Sequence, residues 1–200
     1  MPPPYDFSKI SPRVVELAGP WFRVHQAYKG PIYFGRSGLN RWDSPDGEYG
    51  VMYAAESWQG ALMESVLHDP TTKIVLQSEL AKRSIALIST SIDLRVMDLS
   101  DGKTLRALGI TESETQGTYL ESQGISKAAY SAGWNVNGIR YASRLDPALS
   151  CLALFDFPPG QMFPHGLGNL LSSFNRNLVS SMLRAYGIRL VDDSSTSLVS

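Results

Sequence analysis

The chain of 200 residues has a single cysteine, Cys151. One thiol excludes an internal disulfide framework and a thiolate cluster for zinc. It sits in the apolar run 151–155, where a free cysteine is more often a buried structural thiol than a nucleophile. Neither sign of charge is in excess, since 18 basic and 19 acidic residues leave a formal net charge of −1. Without a basic surplus the chain offers no general polyanion surface, so direct nucleic-acid binding is disfavoured. No run approaches the roughly 20 apolar residues of a membrane span. The start, MPPPYDFSKISPR, lacks the basic and apolar regions of a signal peptide. These absences lead us to expect a soluble, cytoplasmic protein. His25, His68 and His165 are far apart and show no ligand spacing such as HExxH, so no metal is expected. Walker, GxGxxG and GxSxG patterns are missing. So are internal repeats and heptads.

What is present reads as one globular domain over residues 1–200, with residues 1–15 as an extended arm and 194–200 as a frayed tail. The apolar fraction of 43% and the charged fraction of 18% suit an ordinary core. Strands are predicted at 21–27, 51–55, 73–80, 84–90, 94–99, 139–142, 151–157 and 188–191. Helices are predicted from Ser57 as N-cap to about His68, at 103–108, weakly at 118–132 with an interruption at Gly124, and at 174–186. Residues 29–50 and 158–168 read as loops, the former with at most short strands such as 32–34. Strands and helices do not alternate as βαβ units. The fold class is therefore α+β, with mixed, mostly antiparallel sheets and flanking helices.

Residues 35–64 form the centre of the chain. A glycine-rich basic loop, GRSGLN, leads to Arg41-Trp42, then to a turn-rich segment, then to the strand VMYAA around Tyr53. The helix that follows is apolar almost all round, which implies burial. Glu64 is its exception. A carboxylate on a buried helix is ion-paired, protonated, or facing a cleft. A structural ion pair with Arg23 or Arg41 and a functional role are equally consistent with the residue type. Arginine suits a phosphate because its planar fork donates two parallel bonds. Tyr53 alone reads as a core aromatic, and Ser143 alone as a turn residue.

Order adds what the single residues do not. WFRV with Arg23, GRSGLNRW with Arg41, VMYAAES with Tyr53, ALME with Glu64, and YASR with Ser143 followed by CLALF occur in succession. This succession resembles the RES-domain family, named for its Arg, Glu and Ser, over about residues 21–155. Members typically form the toxin half of RES–Xre toxin–antitoxin pairs and resemble ADP-ribosyltransferases in fold. The resemblance implies cleavage of NAD at the nicotinamide–ribose bond, with water or phosphate as acceptor. Transfer of ADP-ribose to a protein is the alternative, and a non-catalytic nucleotide-binding or interaction module is a third reading. It further implies NAD as substrate and no cofactor, a separately encoded Xre-type antitoxin as partner, and a site made of Arg23, Arg41, Tyr53, Glu64 and Ser143. In that site Glu64, Arg23, Tyr53 and Ser143 would be catalytic, and Arg23, Arg41, Tyr53 and Ser143 would bind NAD. Homo-oligomerisation stays open. The chain departs from compact members in a longer segment between Glu64 and Ser143, with residues 93–133 holding the excess.

Overall fold

The computed structural model describes residues 5–11, 13–67 and 71–193. Among them are the strands β1 (Val14–Leu17), β2 (Trp21–Gln26), β3 (Val51–Ala55), β4 (Ile74–Leu76), β5 (Arg83–Thr90), β6 (Leu94–Asp98), β7 (Gly138–Ala142), β8 (Ser150–Phe155), β9 (Met162–Asn169) and β10 (Arg189–Val191). The helices are α1 (Trp58–Val66), α2 (Gln77–Ala81), α3 (Gly102–Leu108), α4 (Glu112–Gln116), α5 (Tyr119–Ser131) and α6 (Ser173–Ala185). Eight strands make one sheet in the order β1-β6-β7-β8-β3-β2-β5-β9, while β10 and β4 pair separately. Within the large sheet only β6 and β7 run parallel. This is the mixed, mostly antiparallel α+β class expected from the sequence.

The apolar run of β8 follows from its central place. Cys151, Ala153 and Phe155 face a core shared with α1, α5 and α6, and Leu152 and Leu154 face a second core with Met52, Ile88 and Val96. A strand covered on both faces loses the polar alternation of a half-solvated one. Gly138 opens β7 because a Cβ there would lie 2.2 Å from the Ala153 carbonyl oxygen.

The sheet is nearly split in its middle. β3 pairs with β8 along its whole length, and β2 pairs with β5 along its whole length. Between β2 and β3 the register holds at one position, Phe22 opposite Ala55. Helix α1 packs across this split, against both strands. Ser57 starts it as N-cap by accepting the Gly60 N–H at 3.1 Å. Its Trp58 and Leu62 line an apolar groove with α6, whereas Ala61, Glu64 and Ser65 line a polar cleft on the other side.

Three local expectations need correction, and one helix was not anticipated. The strand expected at 73–80 stops at Leu76 and turns into α2, whose fold places Leu80 in the core; Asp193 accepts the Ser78 N–H at 3.0 Å. The loop expected at 158–168 contains strand β9. Its glycines and Pro164 are tolerated because β9 is an edge strand paired only with β5, with a register shift beside Ala86. Gly124 does not interrupt α5; the space beside it is filled by the Tyr5 ring. Helix α4 was not expected at all, although its capping box, Thr111 with Glu114, is a sequence signal. At the N-terminal end Phe7 is 2% exposed and stacks on Trp134 at 5.7 Å. The expectations for Pro2–Pro4, His68 and the tail 194–200 fall outside the described residues. Among the described residues no helix is long and apolar enough to cross a membrane.

Cys151 is fully buried, and desolvation pushes its thiol pKa well above the ordinary value. The thiolate is the reactive form. Iodoacetamide at pH 8.5 is therefore expected to leave the native thiol unmodified for hours and to alkylate it within minutes in denaturant. Equal rates in both conditions, read by mass spectrometry, would contradict its burial.

Candidate active site

The polar cleft encloses about 280 Å³ and lies over the β2–β3 split. Arg23, His25 and Tyr53 come from the two strands, and Glu64 and Ser65 from α1. Arg36, Ser37, Asn40 and Arg41 come from the long loop, with Tyr119 from the start of α5.

Arg23 closes the gap between the strands. Its Nη1 donates to the Tyr53 carbonyl at 2.6 Å and its Nη2 to the Tyr33 carbonyl at 3.1 Å. The guanidinium thus satisfies one β3 carbonyl beside the gap and ties the loop to it at Tyr33. Its Nε is buried without a partner. Among the described residues no carboxylate pairs with Arg23. Burial lowers its pKa to about 10, which still leaves it charged at neutral pH. A shift of that size corresponds to on the order of 3 kcal/mol of uncompensated desolvation.

Arg41 is 6% exposed and is held from one side only. Its Nη2 donates to the Thr115 carbonyl and to Gln116 Oε1 at the end of α4. Its Nε and Nη1 are buried and unpartnered. Its guanidinium carbon lies 4.8 Å from the Trp42 ring centre and 5.1 Å from that of Tyr141. Desolvation again lowers its pKa. The segment 93–133 thereby supplies the helix end that anchors this arginine. Arg36, by contrast, is occupied in tying the loop, donating to the Gly47 and Glu48 carbonyls and to Asp156.

The loop that carries Arg41 is braced from beneath. Asp43 is fully buried, and its Oδ2 accepts from Ser37 Oγ at 3.0 Å and from the N–H and side-chain amide of Asn40 at 3.2 and 3.0 Å. Tyr53 donates its hydroxyl to Asp43 Oδ1 at 3.0 Å and accepts the Trp42 N–H at 2.9 Å. Burial raises the Tyr53 pKa well above its ordinary value, so the phenol keeps the proton it donates. From α5, Gln123 donates to the Gly38 and Asn40 carbonyls at 2.8 and 2.9 Å, and Ser126 donates to the Trp42 carbonyl at 2.8 Å. The polar residues that make α5 a weak helix in sequence are buried because they hold this loop.

Glu64 forms no ion pair among the described residues, so the structural pair with Arg23 or Arg41 is not made. Its Oε2 accepts from Tyr141 OH at 3.0 Å. His25 lines the cleft floor with its pKa lowered by desolvation and by the Arg23 charge, which favours the neutral ring at pH 7. The structure gathers Arg23, Arg41, Tyr53 and Glu64 around one cleft and does not bring Ser143 to its lining. Ser143 is fully buried after β7, where its hydroxyl accepts the Leu145 N–H at 3.3 Å. Asp43 and Tyr141 were missed by sequence reasoning. Asp43 sits among turn residues and Tyr141 at an inward strand position, and neither pattern signals a polar partner.

Two buried cations with three unsatisfied nitrogens between them suit the cleft to an anion, because a buried charge without a partner is costly. Inorganic pyrophosphate is expected to raise the melting temperature at pH 7, by several degrees near a hundredfold excess over Kd. Arg41→Ala should remove most of that rise, and chloride of equal ionic strength should not reproduce it. An unchanged melting temperature of the unsubstituted protein with pyrophosphate would sink this assignment.

A family model described as the RES domain matches residues 20–165. The fold is similar to that of a chain in the crystal structure of the M. tuberculosis MbcT–MbcA toxin–antitoxin complex, with a TM-score of 0.62 and 18% sequence identity. That alignment covers 78% of this chain and 86% of the other, and at such identity it speaks for the fold alone. No curated protein matches the chain significantly. The family match spans well over half of the sequence, from before Arg23 to beyond Ser143, and on that basis the chain belongs to the RES-domain family.

Proposed function

We propose that the protein is a toxin-like enzyme that cleaves the nicotinamide–ribose bond of NAD, with water or phosphate as acceptor. One observation carries this reading: two buried guanidiniums without carboxylate partners and one carboxylate outside any ion pair, among the described residues, line the same cleft. Two cations fit the diphosphate of a dinucleotide. A carboxylate across the cleft fits a cation that develops on the ribose.

The chemistry asks little of an acid. The carbon–nitrogen bond breaks with its electron pair leaving on nicotinamide, which departs neutral. The anomeric carbon becomes oxocarbenium-like and is captured by an oxygen of water or phosphate, whose proton passes to solvent. Glu64 would accept a ribose hydroxyl and place negative charge beside that carbon, as carboxylates do in glycoside cleavage. A desolvated cleft strengthens this charge stabilisation. Arg41 would attract the diphosphate through its charge, and its buried Nε and Nη1 would reach it only after the side chain moves. Arg23, with both terminal nitrogens committed to main-chain carbonyls and its Nε buried, would contribute its charge. The Tyr53 hydroxyl is already engaged, so its part would be to hold the loop and offer its ring to nicotinamide. Any contribution of Ser143 would pass through the turn it holds. NAD is consumed here as substrate.

We further infer a separately encoded antitoxin partner, of the Xre type that the family resemblance implies. Family membership and a structural neighbour solved as a toxin–antitoxin complex support it.

The direct test incubates purified protein with NAD, with and without phosphate, and follows free nicotinamide. Release by wild type and a fall of roughly 100-fold or more in Glu64→Gln are expected. Label from adenine-labelled NAD becoming protein-bound would instead favour ADP-ribosyl transfer to a protein. No release under any condition, or a Glu64→Gln rate equal to wild type, overturns the reading. In cells, expression should arrest growth, and Glu64→Gln should relieve the arrest.

A further inference from the structure

Tyr141 lies on β7 opposite Cys151 of β8, on the sheet face that packs against α1. It is 1% exposed. Two features of the site meet on this one ring. Its hydroxyl donates to Glu64 Oε2 at 3.0 Å, and its face lies 5.1 Å from the Arg41 guanidinium carbon. Trp42 packs against it at a tilt of 49°, with its ring centre 5.3 Å from that of Tyr141. Desolvation and the Glu64 charge both raise the phenol pKa, so the hydroxyl remains a donor throughout the working pH range.

We propose that Tyr141 is the positioning residue of the site: it fixes the Glu64 carboxylate by one oxygen and sets its spacing from Arg41 by its ring. This rests on the NAD-cleaving reading above. With Oε2 held, Oε1 is the oxygen left to meet a ribose hydroxyl, and among the described residues it has no hydrogen-bond donor. A free carboxylate on α1 would rotate among rotamers, and only some of them place an oxygen at the anomeric carbon. The ring also joins the two halves of the substrate site. The cation that would hold the diphosphate rests on its face, and the carboxylate that would face the ribose is held at its edge. The distance between these groups is then set by a rigid six-membered ring in the core, not by a loop and a helix moving independently. Misplacement by an ångström at a reacting centre is worth about a hundredfold in rate.

Tyr141→Phe keeps the ring and removes only the donor. It should lower kcat by about 10- to 100-fold and leave KM for NAD nearly unchanged, since the support beneath Arg41 remains. The same change made in a Glu64→Gln background should produce no further loss, because the hydroxyl acts through that carboxylate. Fluorotyrosine incorporated at position 141 restores a donor and should recover most of the wild-type kcat. In protein labelled at the glutamate carboxyl carbon, the Glu64 resonance should move between wild type and Tyr141→Phe. An equal loss of kcat in both backgrounds, or a wild-type kcat in Tyr141→Phe, overturns the proposal. A wild type that releases no nicotinamide defeats the NAD reading instead. The carboxyl resonance then decides the positioning role, which fails if that signal stays where it is.

Discussion

The structure depends on a sheet that is not closed in its middle. Strands β2 and β3 are sequence-distant neighbours that share register at Phe22 and Ala55 and then part. Main-chain carbonyls left facing such a gap need donors. Arg23 supplies one to the Tyr53 carbonyl of β3 and another to the loop carbonyl of Tyr33, and in doing so it puts an uncompensated positive charge on the floor of the opening. A pair of neutral donors would repair the sheet as well but would not attract an anion. The same bonds that hold the fold at this point therefore define the chemistry the opening can accept.

Around that gap the polar interior is arranged to hold charged groups still and not to neutralise them. Asp43 and Tyr53 lock the loop before Arg41, and α5 lends Gln123 and Ser126 to the same loop from behind. Arg41 is anchored through one nitrogen to the carbonyl end of α4, where partial negative charge collects. Glu64 is held through one oxygen by Tyr141. For Arg41 and Glu64, part of the hydrogen-bonding capacity is used for orientation, and part has no partner among the described residues. Burial without full pairing is unfavourable for folding, and it persists where surrounding structure over-determines it.

How much of this was legible depended on the range of the interaction. Residues 51–55 form a short apolar run of strand length, and Ser57 caps α1 through a bond to its own chain, so both could be read locally. The apolar surround of Glu64 marked it as unusual before any partner was visible. Leu80 misled, since an apolar run at 73–80 fits a strand as well as a strand followed by a helical turn. β9 misled in the other direction: its glycines and Pro164 read as loop, and only its place at the sheet edge makes them acceptable. Ser143 was carried by its position in a motif, and the structure places its hydroxyl under a turn and not in the cleft.

The sequence by itself determined the α+β class, the burial of α1, the anomaly of Glu64 and the succession of motifs that marks the RES family. These follow from periodicity, capping and residue order, all of which are properties of nearby residues along the chain. Only the tertiary structure decided that Glu64 pairs with a phenol and not with an arginine, that Arg23 bridges a split sheet, and that α4 and α5 hold the Arg41 loop. Those outcomes rest on contacts between residues 30 to 85 positions apart, such as Arg23 with Tyr53 and Gln123 with Gly38. No local pattern encodes which distant donor will face which acceptor, because that choice is made by how the strands and helices pack.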